Sequence, residues 1–395
     1  MNTEQYCILS LIFLALISGS MYYNTVLVDT QAYVPSVYYL QGKILSDDDV
    51  ERATQSYAFK RPVEIVIVAL IEPLFGIRQS YSLLNMLLFI GATILTFYYS
   101  RKLFRNSEQA SLIAYIAAVL FATSLPVILY ATRVLVDVAG YVTILIGLFA
   151  IDAVINKEDN KRWYHHAGVW LLLGFFLLVR DAIIILFPYY CLRILWNIWQ
   201  EKLSLQEKFW NCVKIFWPII FAFIPELLFM WYFDVSFLLT GKAAAITAGK
   251  YSLMGWLKFV IVHGAAFHIA YIFAYFGWKQ EQDIWRKSLY VLYGICGLVY
   301  IIGIQLVALT SPRFTMVLFP ILLPLAAIGI FTIAEKWKNI WAMHKTIICC
   351  LLFYAIISFL GALLYPSRTL ILEDAGGNAV INAVLQEIKL KLGVF

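Results

Sequence analysis

Residues 6–29, YCILSLIFLALISGSMYYNTVLVD, decide how the rest of the chain is read. A helix of roughly 20 mostly apolar residues is long enough to cross the hydrocarbon core of a bilayer, and this run stops on the carboxylate of Asp29. Met1 to Gln5 carries no basic n-region and no small-residue cleavage site follows, so the stretch is predicted to be a retained first transmembrane helix, a signal anchor. Asp29 then stands at the lip of that helix and opens a polar, aromatic loop.

The composition extends the same reading to the whole chain. Of 395 residues, 62% are hydrophobic and 14% charged, with a mean hydropathy of +0.80, the balance of a protein whose solvent is mainly lipid. No long polar stretch separates the apolar runs, so a single integral membrane domain over residues 1–395 is expected, with no soluble domain. The net charge of +6 is no argument for nucleic acid, because Lys and Arg lie mostly in short loops between apolar runs. The six cysteines fall in or beside those runs, which argues against a disulfide framework.

Apolar runs recur near 6–28, 80–100, 108–130, 138–155, 166–180, 182–199, 210–233, 257–277, 288–310, 314–334 and 346–365. They predict an all-α polytopic membrane protein with about 11 transmembrane helices. The runs 166–180 and 182–199, interrupted by Arg180-Asp181, are read as two helices meeting near one face; a single kinked helix is the alternative. Five basic clusters, around Arg101, Lys161, Arg193, Arg286 and Lys336, then fall on one side, which the positive-inside rule makes cytoplasmic. The N-terminus is predicted to be cytoplasmic, with the first loop (29–79) and the C-terminal tail (366–395) on the extracytoplasmic face of the cell membrane. Val63 to Gly76 is apolar but short, and carries Glu64 and Glu72, which are costly in hydrocarbon. It is predicted to lie on the membrane, one of at least two surface helices in the first outer loop.

With that orientation Asp29, Arg61, Arg133, Asp137, Arg180, Asp181, Glu226, Asp234 and Arg313 all fall at outer helix ends or in the outer half. Charge at bilayer depth is expensive unless it faces a cavity or a partner, so one-sided charge of both signs points to a polar cavity opening outward. Arg133 and Asp137 are four apart and share a helix face, so pairing with one another is the plain reading of both. His263 and His268 are five apart, on different faces, and suit a core or cavity-lining role better than ligation. Tyr22, Tyr23, Tyr33, Tyr38 and Tyr39 crowd the first outer boundary, where interfacial anchoring accounts for most of them.

An ordered set of short motifs resembles the GT-C superfamily of polytopic glycosyltransferases, in particular the branch containing protein O-mannosyltransferases and lipid A aminoarabinose transferases. Asp29-Thr-Gln-Ala-Tyr33 and Tyr39-Leu-Gln-Gly42 are similar to that family's opening loop. Lys60-Arg-Pro62, its apolar continuation and Leu74-Phe-Gly76 are similar to its Pro-Pro-Leu surface helix. Arg101-Lys-Leu-Phe, Pro126, Tyr130-Ala-Thr-Arg133 with Asp137, Gly174 to Arg180, and Pro312-Arg313-Phe314 with Pro320 and Pro324 follow in the family's order. The sequence departs from the pattern at Thr30, where several relatives carry Glu, and at Arg61-Pro62-Val63.

The resemblance implies a polyprenyl or dolichyl phosphate sugar as donor and inverting transfer to a hydroxyl on a protein, lipid or glycan. It implies Asp29 as the general base that takes the acceptor proton. The departing lipid phosphate needs fixed cations, for which Arg313 stands first, with Arg61, Lys60 and Arg180 behind it; interfacial snorkelling is the plain alternative for each. Asp137, Tyr33 and Arg133 are placed near the acceptor or the sugar. No cofactor is implied, a divalent cation at Asp137 being the open alternative. Two readings from other classes stay in view: a transporter or flippase for a lipid-linked or anionic substrate, and a non-enzymatic membrane subunit.

Overall fold

The computed structural model describes residues 3–20, 30–47, 50, 53, 61–131, 137–155, 162–202, 204–233, 253–306, 311–337 and 339–364. Helix is the regular structure those residues form, with no strand among them. In chain order the α-helices are α1 (Thr3–Ser20), α2 (Thr30–Leu40), α3 (Pro62–Phe75), α4 (Ile77–Leu103), α5 (Ala110–Ala122), α6 (Leu125–Tyr130), α7 (Asp137–Ile155) and α8 (Trp163–Leu177). There follow α9 (Leu186–Gln200), α10 (Leu205–Phe216), α11 (Ile224–Phe233), α12 (Leu253–Phe267), α13 (Ala270–Gln280), α14 (Ile284–Leu306), α15 (Phe319–Glu335) and α16 (Ile340–Leu364). Short 3-10 turns lead into α9 (Asp181–Ile185), α11 (Trp217–Phe223) and α15 (Pro312–Leu318).

Among the described residues, seven helical stretches are long and apolar enough to cross a membrane: Ile77–Leu103, Asp137–Ile155, Asp181–Gln200, Leu205–Tyr232, Ile284–Ile304, Pro312–Glu335 and Ile340–Leu363. An eighth is added if α12 and α13, bent by 73° at their junction, count as one span. The expectation of eleven is therefore met only in kind. The run 108–130 is two helices rather than one: the hydroxyls of Thr123 and Ser124 bond carbonyls a turn back, at Val119 and Phe121, and Pro126 starts a new helix instead of closing the old. The first run yields the 18-residue α1 over its described part, and 166–180 yields the 15-residue α8. The break at Arg180-Asp181 does separate two helices, Arg180 itself being extended (φ −157°, ψ 133°).

The core is aliphatic and aromatic and lies between α4, α5, α7, α9, α13 and α15. At its centre Phe121 stacks on Tyr141 (4.6 Å between centroids), and Phe319 meets both rings edge-on at 6.2 Å. Helices α13 and α15 cross closely, where Gly277 and Gly329 face backbone carbonyls of the opposite helix and leave no room for a Cβ. A second, smaller core joins Tyr33 and Val37 of α2 and Ile65 and Val68 of α3 to Tyr81, Ile128, Leu129 and Ala362. It seats both loop helices on the end of the bundle where α4 and α7 begin.

Helix α3 starts on Pro62, whose fixed φ and missing N–H suit a first turn, and stops at Gly76, which takes φ 75° and returns its N–H to Glu72 O at 2.7 Å. Its two carboxylates, read together from the sequence as charges to be kept out of hydrocarbon, part company. Glu72 is held by Lys43 Nζ and Gln41 Nε2, each 3.0 Å away, whose hydrogen bonds lower its pKa. Glu64 points inward and is buried.

Candidate functional site

Asp137 is the first residue of α7, where free backbone N–H groups and the helix dipole favour a negative charge. It is only 7% exposed. Two arginines from distant segments neutralise it: Arg180 Nη2 lies 2.7 Å from Oδ1, and Arg313 Nη1 lies 3.7 Å from Oδ2. The stem of Arg180 crosses α7 at Gly140, where a Cβ would stand 2.6 Å from Arg180 Cγ. Glycine at that position is what lets the arginine lie against the helix and reach Asp137. Arg313 enters from the 3-10 turn after Ser311, with its guanidinium 5.2 Å from the Phe314 ring centroid and 6.0 Å from that of Tyr130.

The charges alternate outward from there. Asp181 Oδ1 accepts from Arg61 Nη2 at 2.8 Å and lies 3.4 Å from Arg180 Nε, while Arg61 Nη1 donates to the Tyr33 hydroxyl at 3.2 Å. Burial works against the charge on Arg61, but Asp181 and Tyr33 outweigh it and raise its pKa above the ordinary arginine value. Tyr33, Arg61, Asp137, Arg180, Asp181 and Arg313 thus form one connected array, drawn from α2, the start of α3, α7, the α8–α9 junction and the turn before α15.

Glu64 lies beside this array, 2% exposed. Burial pushes its pKa up to about 8; Asn85 opposes the shift, Asp137 adds to it, and Arg180 and Arg61 oppose it. The hydroxyls of Tyr81 and Tyr300 are buried without a hydrogen-bond partner, Tyr300 within electrostatic reach of Asp181, Arg180 and Arg61. The hollow enclosed by Asp137, Tyr141, Arg180, Arg313 and Val317 measures about 20 Å³, room for one water molecule.

Of the residues singled out from the sequence, Tyr33, Arg61, Asp137, Arg180 and Arg313 come together. Asp29, Lys60 and Arg133 lie outside the described residues, as does Asp234 and the tail 366–395. Asp137 finds its described partners across the bundle, at Arg180 and Arg313. Among the described residues no three of His, Cys, Asp and Glu gather as a ligand set. His263 and His268 turn to different neighbours, Nδ1 of the first 2.7 Å from Thr315 Oγ1 and Nε2 of the second 2.8 Å from Ser358 Oγ. His268 also marks the α12–α13 bend, with φ 32°.

Sequence reasoning missed Glu64 as a member of the site. The available signal was its place two residues after Pro62, in the first turn of an otherwise apolar helix. Chemically, the array presents three guanidinium groups whose described partners include two carboxylates and the Tyr33 hydroxyl. No family model matches the chain, and no curated protein matches it.

Proposed function

We propose that the chain is a membrane glycosyltransferase with a GT-C-like bundle, moving a sugar from a polyprenyl or dolichyl phosphate donor to a hydroxyl acceptor at the extracytoplasmic face, with inversion. In this reading the array around Asp137 faces outward and the basic loops face the cytoplasm. The observation that carries the proposal is the convergence of Tyr33, Arg61, Asp137, Arg180 and Arg313, far apart in sequence and each part of the ordered motif set, into one connected array.

Attack by an acceptor oxygen on the anomeric carbon requires a base within about 3 Å of the acceptor proton. Asp29 takes that role, nine residues beyond the described end of α1 and four before Tyr33. As the glycosidic bond to phosphate breaks, charge grows on the leaving oxygen. Arg313, Arg61 and Arg180, with Lys60, are the cations that compensate it, in a site dry enough for each charge-assisted hydrogen bond to count. Asp137 and Asp181 hold those guanidiniums in place before the donor arrives, and Tyr33 positions Arg61 and the sugar. The hollow beside Asp137 is far smaller than a sugar phosphate, so the donor lies on the outer side of the array, against Arg61 and the half-exposed Asp181.

The test is sugar transfer by the purified chain in nanodiscs, supplied with a panel of polyprenyl-phosphate sugars. Asp29→Asn is expected to lower kcat by at least two orders of magnitude with donor binding retained; unchanged turnover removes Asp29 as base. One observation favours a second reading, a transporter of a lipid-linked or anionic substrate: the 73° bend at His268, since broken helices are a recurrent feature of transporters. A proteoliposome assay that follows substrate across the bilayer separately from sugar release decides between the two.

A further inference from the structure

At the other end of α7 lies a larger cavity that the proposed transfer reaction does not use. It measures about 280 Å³ and is walled by Lys102 at the end of α4, Arg105 and Asn106 in the turn that follows, Asp152 of α7, and Asp283 and Arg286 at the start of α14. Two of the five basic loops expected from the sequence, remote in the chain, here meet in one hollow.

The carboxylates around it are already committed within the protein. Asp152 is gripped on one oxygen by Arg193 Nη1 at 3.1 Å and on the other by Lys102 Nζ at 3.3 Å. Asp283 Oδ1 accepts the backbone N–H groups of Trp285 (2.9 Å) and Arg286 (3.2 Å) and so caps α14. Arg286 is clamped by both oxygens of Glu281, at 2.7 and 2.8 Å, and spends a further N–H on Leu103 O at 3.3 Å. Arg105 is exposed and makes no ion pair among the described residues. The charge left to the cavity is therefore positive, with Arg105 and the Asn106 amide as uncommitted donors and Lys102 held by one carboxylate oxygen and the Phe149 ring, 5.0 Å from its centroid.

We propose that this cavity binds the phosphate group of an anionic phospholipid, with Arg105 and Lys102 as its principal ligands. A volume of 280 Å³ admits a phosphate with its glycerol and excludes no part of the lipid that must stay in the bilayer. The rim offers the apolar continuation a lipid needs: Ile284 is 78% exposed, and Trp285 beside it is an aromatic of the type that settles at headgroup level. Basic hollows between helices at the positively charged end of a bundle are suited to anionic headgroups. The site stands independently of the glycosyltransferase reading, since none of its residues belongs to the Asp137 array.

The experiment is binding of dioctanoyl phosphatidylglycerol to the full chain in detergent, followed by native mass spectrometry, with dioctanoyl phosphatidylcholine and inorganic phosphate as comparison probes. Phosphatidylglycerol is expected to bind in preference to phosphatidylcholine. Arg105→Gln is expected to weaken it about fivefold, the effect of one cation beside an anionic headgroup. Lys102→Met tests the second ligand, and because Arg105 is exposed and unpaired, Arg105→Gln keeps the inference testable even if the Lys102 variant fails to fold. Lys336→Gln, an exposed cation outside the cavity, is expected to leave binding unchanged. Inorganic phosphate that displaces the lipid in an Arg105-dependent manner supports a phosphate site open to either source, whereas no competition assigns it to the lipid. Equal binding of both lipids, binding insensitive to Arg105→Gln, or an equal loss in Lys336→Gln overturns the proposal.

Discussion

Helix α7 carries a buried aspartate near each end, and the two ends are built alike yet behave differently. Asp137 and Asp152 are 7% and 5% exposed, and each sits between two cations brought in from other segments. They are roughly 22 Å apart at 1.5 Å per residue. At Asp152 both oxygens are closely held, and Arg193, 1% exposed, also donates to Tyr189 OH at 2.9 Å and lies against the Trp285 ring. At Asp137 only Oδ1 is closely held; Oδ2 accepts no hydrogen bond and meets Arg313 at 3.7 Å. A further carboxyl, Glu64, is buried beside the array, opposed in its pKa shift by a hydrogen bond from Asn85. Arg193 ties α9 to α7 at Asp152, although its Nη2 is itself buried without a hydrogen-bond partner. At Asp137 the second contact is longer, and a buried acid lies beside the array. The comparison teaches that burial and pairing alone do not distinguish the two ends; what differs is how closely each carboxylate is held.

The largest expected effect tests the likeness of the two ends. Arg193→Met and Arg180→Met each strip a buried carboxylate of its principal partner, and breaking such a pair costs on the order of 3–5 kcal/mol. Thermal unfolding in detergent should show both variants strongly destabilised. If Arg180→Met is tolerated and Arg193→Met is not, Arg313 alone compensates Asp137 and the array is looser than its geometry indicates.

A pH dependence should separate the ends next. The Glu64 pKa is raised from 4.5 to about 8, so the folded state holds a proton that the unfolded chain has released. The stability this proton contributes is complete below pH 4.5 and is lost as pH rises through about 8, at up to ~1.4 kcal/mol per pH unit inside that window. Glu64→Gln mimics the protonated form. It should flatten the fall in melting temperature across the window, and a fall as steep as the parent's would show that Glu64 is not the titrating group.

Much of this was legible in the sequence, and the reasons follow from the range of the interactions involved. Pro62 and Gly76 bound α3 because both act on their own backbone, and the Arg180-Asp181 break reads directly as two adjacent charges interrupting apolar runs. Arg61, Asp137, Arg180 and Arg313 could be grouped because each ends an apolar run on the same predicted side. Pairing was not legible. The ion pair of Asp137 to Arg180 depends on Gly140 leaving a groove across α7, a tertiary circumstance with no local signature. The same holds for Asp152, which in sequence is a lone acid in an apolar helix and in three dimensions anchors Arg193 and Lys102. The expected continuous run 108–130 is divided where side-chain hydroxyls and proline act together, at Thr123, Ser124 and Pro126, because hydropathy records none of their backbone competition.

Arg313 carries the smallest predicted effect on stability and the sharpest one on meaning. Its contact with Asp137 is long at 3.7 Å and its side chain is 14% exposed, so the ion pair is partly screened, and Arg313→Gln should cost only about 1 kcal/mol. Arg180 keeps Oδ1 of Asp137 satisfied in that variant, and the rings of Tyr130 and Phe314 can still pack against the glutamine stem. If the array serves to hold a departing phosphate, the same substitution should depress kcat far more than it lowers the melting temperature, because the charge is required only as the glycosidic bond breaks. If Arg313 is instead a strut like Arg193, the two losses should track one another. A variant that melts almost normally while transfer falls a hundredfold places Arg313 on the reacting side of the comparison; parallel losses return it to the structural side and make the two ends of α7 the same device.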